Sequence, residues 1–114
     1  MTPGAVTVYL ALGPVDLRGA FDRLAALTRQ VLCLDPASGA LFLFLNRRRN
    51  RLKALWWDQN GYTMLYKRLT SGTFSLPKVT GSECACLEIS AEDFARLLSG
   101  LSIDDTTALP RIVN

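Results

Sequence analysis

The sequence predicts an α+β fold: an antiparallel β-meander of four to five strands, one long helix packed on it and a short C-terminal helix. Three observations lead there. Residues 41–69, LFLFLNRRRNRLKALWWDQNGYTMLYKRL, hold three strand-like runs separated by an arginine-rich turn and an Asn60-Gly61 turn. Residues 16–32 place apolar side chains at spacings of three and four, the period of a helix with one buried stripe. Ser90-Ala91-Glu92-Asp93 has the form of a capping box that opens a second helix. At 114 residues, 49% hydrophobic and 20% charged, the chain suits one domain whose core needs no metal or disulfide staple. That domain is expected over residues 1–101, with residues 102–114 as a flexible tail.

Taken in order, residues 5–12 alternate, with Val6, Val8, Leu10 and Leu12 on one side and Ala5, Thr7, Tyr9 and Ala11 on the other. This is the pattern of a half-buried strand. Gly13-Pro14 ends it, and Asp16 is the expected N-cap of a helix that carries Leu17, Phe21, Leu24, Leu27 and Val31 and runs to about Leu32. Gly19 lowers helix propensity there by about 1 kcal/mol relative to Ala, which implies close packing against the sheet. Residues 35–39 turn the chain into the meander. Asn60-Gly61 as a two-residue type I′ turn pairs Gln59 with Tyr62, Trp57 with Met64, Leu55 with Tyr66 and Lys53 with Arg68. Residues 71–73 form a further turn, and Phe74 to Leu76 a short edge strand stopped by Pro77. After a loop over residues 78–82, a last strand over 84–89 puts Leu87 and Ile89 on one face and Cys84 and Cys86 on the other. Phe94, Leu97, Leu98 and Leu101 mark the stripe of the second helix, and Gly100 suits its C-cap.

The net charge of +3 is unevenly distributed. Residues 1–46 balance, residues 47–78 hold eight basic residues against Asp58, and residues 79–114 hold two arginines against six carboxylates. The middle segment thus stands at +7 and the last at −4, a segregation that points to a polyanionic partner or to self-association between unlike ends.

No histidine is present, which removes the commonest general base and the usual partner of a serine or cysteine nucleophile. Three cysteines, Cys33, Cys84 and Cys86, cannot by themselves complete a four-ligand zinc site. The aspartates fall on caps, turns, a helix surface and the tail, so no convergent carboxylate set for metal-assisted phosphoryl transfer is in view. No glycine-rich helix opening of the nucleotide-binding kind occurs. A non-enzyme with no metal and no cofactor is expected. The longest apolar run, residues 40–45, is far shorter than the roughly 20 residues that span a bilayer. No Lys or Arg precedes Arg18 to form the charged start of a secretory signal, so the expected location is the cytoplasm, with no membrane contact.

What remains is Asn46-Arg47-Arg48-Arg49-Asn50-Arg51, a tight basic connection whose guanidinium forks match phosphate oxygens. In the predicted register, Arg51, Lys53, Leu55 and Trp57 share a face with Met64, Tyr66 and Arg68. Leu52, Ala54, Trp56, Leu65 and Leu69 form the core face, spoiled only by Lys67. Lys53 directly opposite Arg68 is unfavourable unless an anion lies across them. Interleaved cations and rings suit a nucleic acid, phosphates on the cations and bases on the rings. The candidate DNA-binding set is Arg47, Arg48, Arg49, Arg51, Lys53, Trp57, Tyr66, Lys67 and Arg68. The same face has another account, in which its charges serve solubility and guard the sheet edge and its rings lie under a second helix.

Three stretches, GPVDLRGAFDRLAAL at residues 13–27, DPASGALFLFLNRRRNRLKALWWDQNGYTMLYKRL at 35–69 and GTFSLP at 72–77, resemble a known family. It is the TnpB-type small accessory protein encoded by the second open reading frame of bacterial insertion sequences of the IS sixty-six family. The chain departs from that pattern at Arg49-Asn50, where the family usually has Gly-Asp, and at Gly19, where it usually has Lys. The resemblance implies a non-catalytic helper in DNA transposition, acting beside a separate transposase that carries the strand-cutting carboxylates. The positions it matches include Asp16, Arg18, Asn46, Trp56, Asp58 and Gly61 besides the candidate set without Arg49. Expected partners are transposon-end DNA and the transposase or another accessory protein of the same element, met through the same aromatic and basic face. A third arrangement is a homodimer, basic sheet against acidic C-terminal helix.

Overall fold

The computed structural model of the protein describes residues 6–76, residues 86–101 and the backbone of residues 111–113. The elements follow as β1 (Val8–Ala11), α1 (Phe21–Gln30), β2 (Leu41–Leu45), β3 (Arg51–Asp58), β4 (Gly61–Arg68), β5 (Cys86–Ile89), α2 (Ala91–Leu98) and β6 (Arg111–Val113). The strands make one sheet in the order β4-β3-β2-β1-β5-β6. β1 and β2 run parallel, Val8 beside Leu41 and Leu10 beside Leu43; the other neighbours are antiparallel.

The α+β class is as predicted, but the sheet is mixed, with six strands, and only β2, β3 and β4 form an antiparallel meander. The cause lies in the connection between β1 and β2. It contains α1, crosses one face of the sheet and returns the chain to the end from which β1 started, which makes the two strands parallel. Residues 102–114 were expected as a tail, yet the backbone of β6 pairs with β5, Leu87 facing Ile112. The cysteine pair expected in the last strand is described only at Cys86, because residues 77–85 lie outside the described part.

Side-chain alternation splits the core in two. Val8, Leu10, Leu43, Leu45, Leu52, Ala54, Leu87 and Ile89 face one way and pack with Phe74 and Leu97 of α2. Ala11, Phe42, Phe44, Leu55 and Cys86 face the other way, against Leu24 and Ala25 of α1. Because helices cover both faces, the central strand β2 is an almost uninterrupted apolar run.

α1 is ten residues long, not the long helix expected from Asp16 to Leu32. Asp16 does not cap it: its carboxylate bonds Arg18, and the N-cap position is Ala20, with no side-chain cap. The carbonyls of Leu17 and Gly19 accept hydrogen bonds from Lys53 Nζ instead of entering a helix, so residues 17–19 form a turn. A Cβ at Gly19 would stand 2.1 Å from Cδ and 2.8 Å from Cβ of Arg23; the tight neighbour is Arg23 and not the sheet. Leu24, Ala25 and Thr28 are the buried stripe, while Phe21 and Val31 of the predicted stripe are exposed. The Thr28 hydroxyl donates to Leu24 O at 2.8 Å, as buried hydroxyls require.

The β3–β4 hairpin turns at Gln59 and Asn60, with Gln59 at φ +52°, and pairs Asp58 with Gly61, Trp57 with Tyr62, Lys53 with Tyr66 and Arg51 with Arg68. The predicted register is therefore off by two residues. A shift of two leaves every side chain on its own face, so the sorting of faces survives while Lys53 exchanges its expected neighbour Arg68 for Tyr66. Phe74 to Leu76 are not a strand. The Phe74 N–H donates to Arg49 O at 2.6 Å, and the Phe74 ring is buried on the α2 side.

α2 begins as predicted, with Ser90 Oγ accepting from the Asp93 N–H at 3.0 Å. It ends at Gly100, φ +76°, where Gly100 N–H donates to Leu97 O and Leu101 N–H to Arg96 O, the double closure that a left-handed residue permits. Lys67 Nζ donates to Leu98 O, a cation at the negative end of the helix dipole.

Candidate nucleic-acid interface

The arginine-rich connection is an ordered arch. Asn46 Oδ1 accepts from the N–H groups of Asn50 and Arg51, both at 3.0 Å, and Asn46 Nδ2 donates to Asn50 Oδ1 at 2.7 Å. Arg49 closes the turn in the left-handed region, φ +56°, its N–H donating to Asn46 O at 3.0 Å. Behind the arch, Leu69 N–H donates to Asn50 O and Phe74 N–H to Arg49 O. The peptide groups of Asn46, Arg49, Asn50 and Arg51 are thus engaged within the protein, and Arg47 and Arg48 stand exposed at the crest.

Facing the arch is the segment after β1. Val15 N–H donates to Leu45 O at 2.9 Å, which fixes residues 14–18 beside the end of β2. Within it Asp16 receives Arg18 as a fork, Nε to Oδ1 at 2.9 Å and Nη2 to Oδ2 at 2.7 Å. The guanidinium hydrogen bond, helped by the Arg18 backbone N–H, holds the Asp16 carboxyl well below the usual carboxylate range, and the same contact raises Arg18.

Between arch and segment lies a cleft of about 690 Å³. It opens where β1 and β2, the parallel pair, end side by side. In open parallel α/β sheets, ligands bind in crevices outside the carboxyl ends of the strands, and this cleft has that placement relative to the parallel pair here. Arg47, Arg48, Arg51, Arg18, Lys53 and Tyr66 all line it, with Asp16 as the acidic member. Lys53, 9% exposed, gives its ammonium to the Leu17 and Gly19 carbonyls and lies over the Tyr66 ring at 5.2 Å. Among the described residues, no carboxylate or carbonyl bonds the guanidinium groups of Arg47, Arg48, Arg51 or Arg68.

Of the nine predicted residues, Arg47, Arg48, Arg51, Lys53 and Tyr66 meet in the cleft. Arg68 adjoins them across the strand pair from Arg51. Arg49 turns to a separate small hollow beside Leu12 and Leu76. Trp57 lies six residues along β3 from Arg51, about 20 Å at strand rise, and packs edge-on to Tyr62 at 5.0 Å. Lys67 serves the opposite face, at the end of α2. Arg18, Asp16 and Asn46 belong to the site without standing in the predicted set. The resemblance marked all three, but only the parallel pairing of β1 and β2 shows why Asp16 and Arg18 face the arginines.

No helix among the described residues is long and apolar enough to cross a membrane. A family model described as IS66 Orf2 like protein matches residues 6–108. A protein of Sinorhizobium fredii called uncharacterized protein y4hO is 38% identical over 96 residues, covering 84% of this chain and 81% of its own length. A second from the same organism, uncharacterized protein y4jC, is 36% identical over 94 residues, covering 82% and 78%. No solved structure matches. The chain belongs to the IS66 Orf2-like family, whose members are accessory proteins associated with transposition.

Proposed function

We propose that the protein is a non-catalytic accessory factor that binds the DNA of its insertion sequence, at the transposon ends and in the cytoplasm, through the arginine cleft. The observation that supports this best is the convergence of Arg47, Arg48 and Arg51 on one concavity with Lys53 and Tyr66. Guanidinium groups without a partner among the described residues, held on an ordered arch, are disposed to fork phosphate oxygens. Arg51 opposite Arg68 repels until an anion bridges the pair. Counting Arg47, Arg48, Arg51 and Arg68 as the free contacts gives a log–log salt slope of roughly −3.5 on duplex and −3 on single strands. Titration of labelled transposon-end DNA at several salt concentrations measures it. The double variant Arg47→Ala/Arg48→Ala should flatten the slope by roughly 1.5 to 2; salt-insensitive or absent binding of the wild type at low salt refutes the proposal.

Edge strand β4 favours a second role, contact with the transposase, because Leu65 and Tyr66 are both exposed along it. Trp57 and the arginine arch stand at opposite ends of the hairpin, so the two roles separate by mutation. An adaptor loses co-purification with the transposase on Trp57→Ala and keeps it on charge reversal at Arg47 and Arg48; a DNA-binding factor shows the reverse order of effects on DNA.

A further inference from the structure

We infer that the cleft receives an unpaired DNA strand, with one base stacked on Tyr66, and not a duplex; this rests on the DNA-binding proposal above and names its substrate. The first ground is shape. Proteins read a duplex by projecting a helix or ribbon into a groove about 12 Å wide, whereas here the arch at residues 46–51 and the segment at 14–18 enclose a hollow. Its volume of about 690 Å³ lies within the range of small-ligand sites, about 300–1,000 Å³. That admits a thin, flexible strand and leaves a duplex resting on the rim.

The second ground is what lies inside. Tyr66 is 53% exposed in a cleft it shares with Arg47, Arg48 and Arg51, and the Lys53 ammonium sits over its ring at 5.2 Å. Lys53 occupies one side of the ring, and a large part of the rest stays open. An exposed ring among arginines gives a duplex nothing, because paired bases are stacked on each other. To an unpaired base it offers a π surface regardless of sequence. Trp57 is occupied by Tyr62 and lies four residues along β3 from Lys53, the partner of Tyr66, about 13 Å at strand rise, so the stacking falls to Tyr66. The phosphates on either side of the stacked base then meet Arg47, Arg48 and Arg51, which line the cleft from the arch.

The experiment is fluorescence anisotropy with a short labelled oligothymidylate and with a blunt duplex of equal length, at one fixed low salt concentration. The wild type should bind the single strand at least tenfold more tightly. Tyr66→Ala should weaken single-strand binding roughly 10- to 100-fold and duplex binding far less, and Tyr66→Phe should restore most of the loss. Tyr66→Leu, which keeps apolar bulk on the strand without a π face, should behave like Tyr66→Ala and so guards against a folding defect in the smaller variant. Equal or tighter duplex binding, or a loss of the same size on both oligonucleotides, overturns the inference. If duplex binding still collapses in Arg47→Ala/Arg48→Ala, the broader proposal stands without it. If neither oligonucleotide binds the wild type, both fall.

Discussion

Asp16→Asn asks whether Arg18 is held out of the interface by its own neighbour. The carboxylate engages Nε and Nη2 of Arg18 and stays ionised because the fork holds its carboxyl low. A carboxyl lowered by folding contributes its stabilisation above the unfolded value near 3.9 and loses it as pH falls through the folded value. Behaviour from about pH 5 upward is therefore flat, and the comparison belongs near neutrality. Both groups are exposed, so solvent screening leaves the pair little weight in stability. Asn keeps an oxygen for the Arg18 N–H, now bonded at 3.0 Å, and removes the charge together with one acceptor of the fork. A unit charge about 6 Å from a phosphate changes affinity about threefold in water, and about twofold after screening at 0.1 M salt. The freed Arg18 also displaces one more counterion. DNA should bind about two- to fourfold more tightly at 0.1 M salt, with a log–log slope steeper by about 0.7 on single strands and 0.9 on duplex. Anisotropy at four or five salt concentrations measures both. Weaker binding, or an unchanged slope, refutes the idea that Asp16 sequesters a phosphate contact.

Four further outcomes bear on the scaffold. Lys53→Met strips the donor from the Leu17 and Gly19 carbonyls and should cost about 1–3 kcal/mol in urea unfolding; a change below about 0.5 kcal/mol would deny the ammonium its structural role. Asn46→Ala removes two acceptor bonds and one donor bond from the arch, costing about 1.5–3 kcal/mol, with faster amide exchange at Asn50 and Arg51 as the local sign. Gly19→Ala drives a Cβ into the Arg23 stem and should lower stability by about 1–3 kcal/mol, an effect that Arg23→Gly in the same chain, which removes the whole stem, lessens in thermal melts. Gly100→Ala forces a β-carbon onto φ +76° and should cost about 1–2 kcal/mol, seen as a fall in melting temperature without loss of DNA binding.

The local signals in the sequence are faithful. Ser90 and Gly100 bracket α2 because capping chemistry acts within one turn of chain, and the alternation through residues 51–58 sorts the two faces of β3. Even the misplaced hairpin turn preserves that sorting, because the slip is an even number of residues. What escapes is long-range. The parallel entry of β2 beside β1 depends on which face the connection crosses, a fact that no single segment carries, although a helix between two strands with an apolar run at residues 40–45 was its trace. The start of α1 escapes for a similar reason. Nothing local forbids a helix from Asp16; Lys53, more than thirty residues on, draws the Leu17 and Gly19 carbonyls away.

The site is legible to the same extent. Residues adjacent in sequence, Arg47, Arg48 and Arg51, do meet, and Tyr66 reaches them because the hairpin carries it back. Trp57 and Lys67 look equivalent in a list of cations and rings, but a strand separates its two ends and a sheet its two faces. Arg18 and Asp16 enter only through the crossover.

Lys53 and Lys67 are neighbours on the outermost hairpin, yet one ammonium is anchored in the α1 layer and the other in the α2 layer. A terminal hairpin is ordinarily the part of a sheet that peels first, baring an edge on which another molecule can be built. Here peeling has to release a cation from both sides at once. The hairpin is pinned through the thickness of the protein, and strand exchange between molecules at this margin has first to break both attachments.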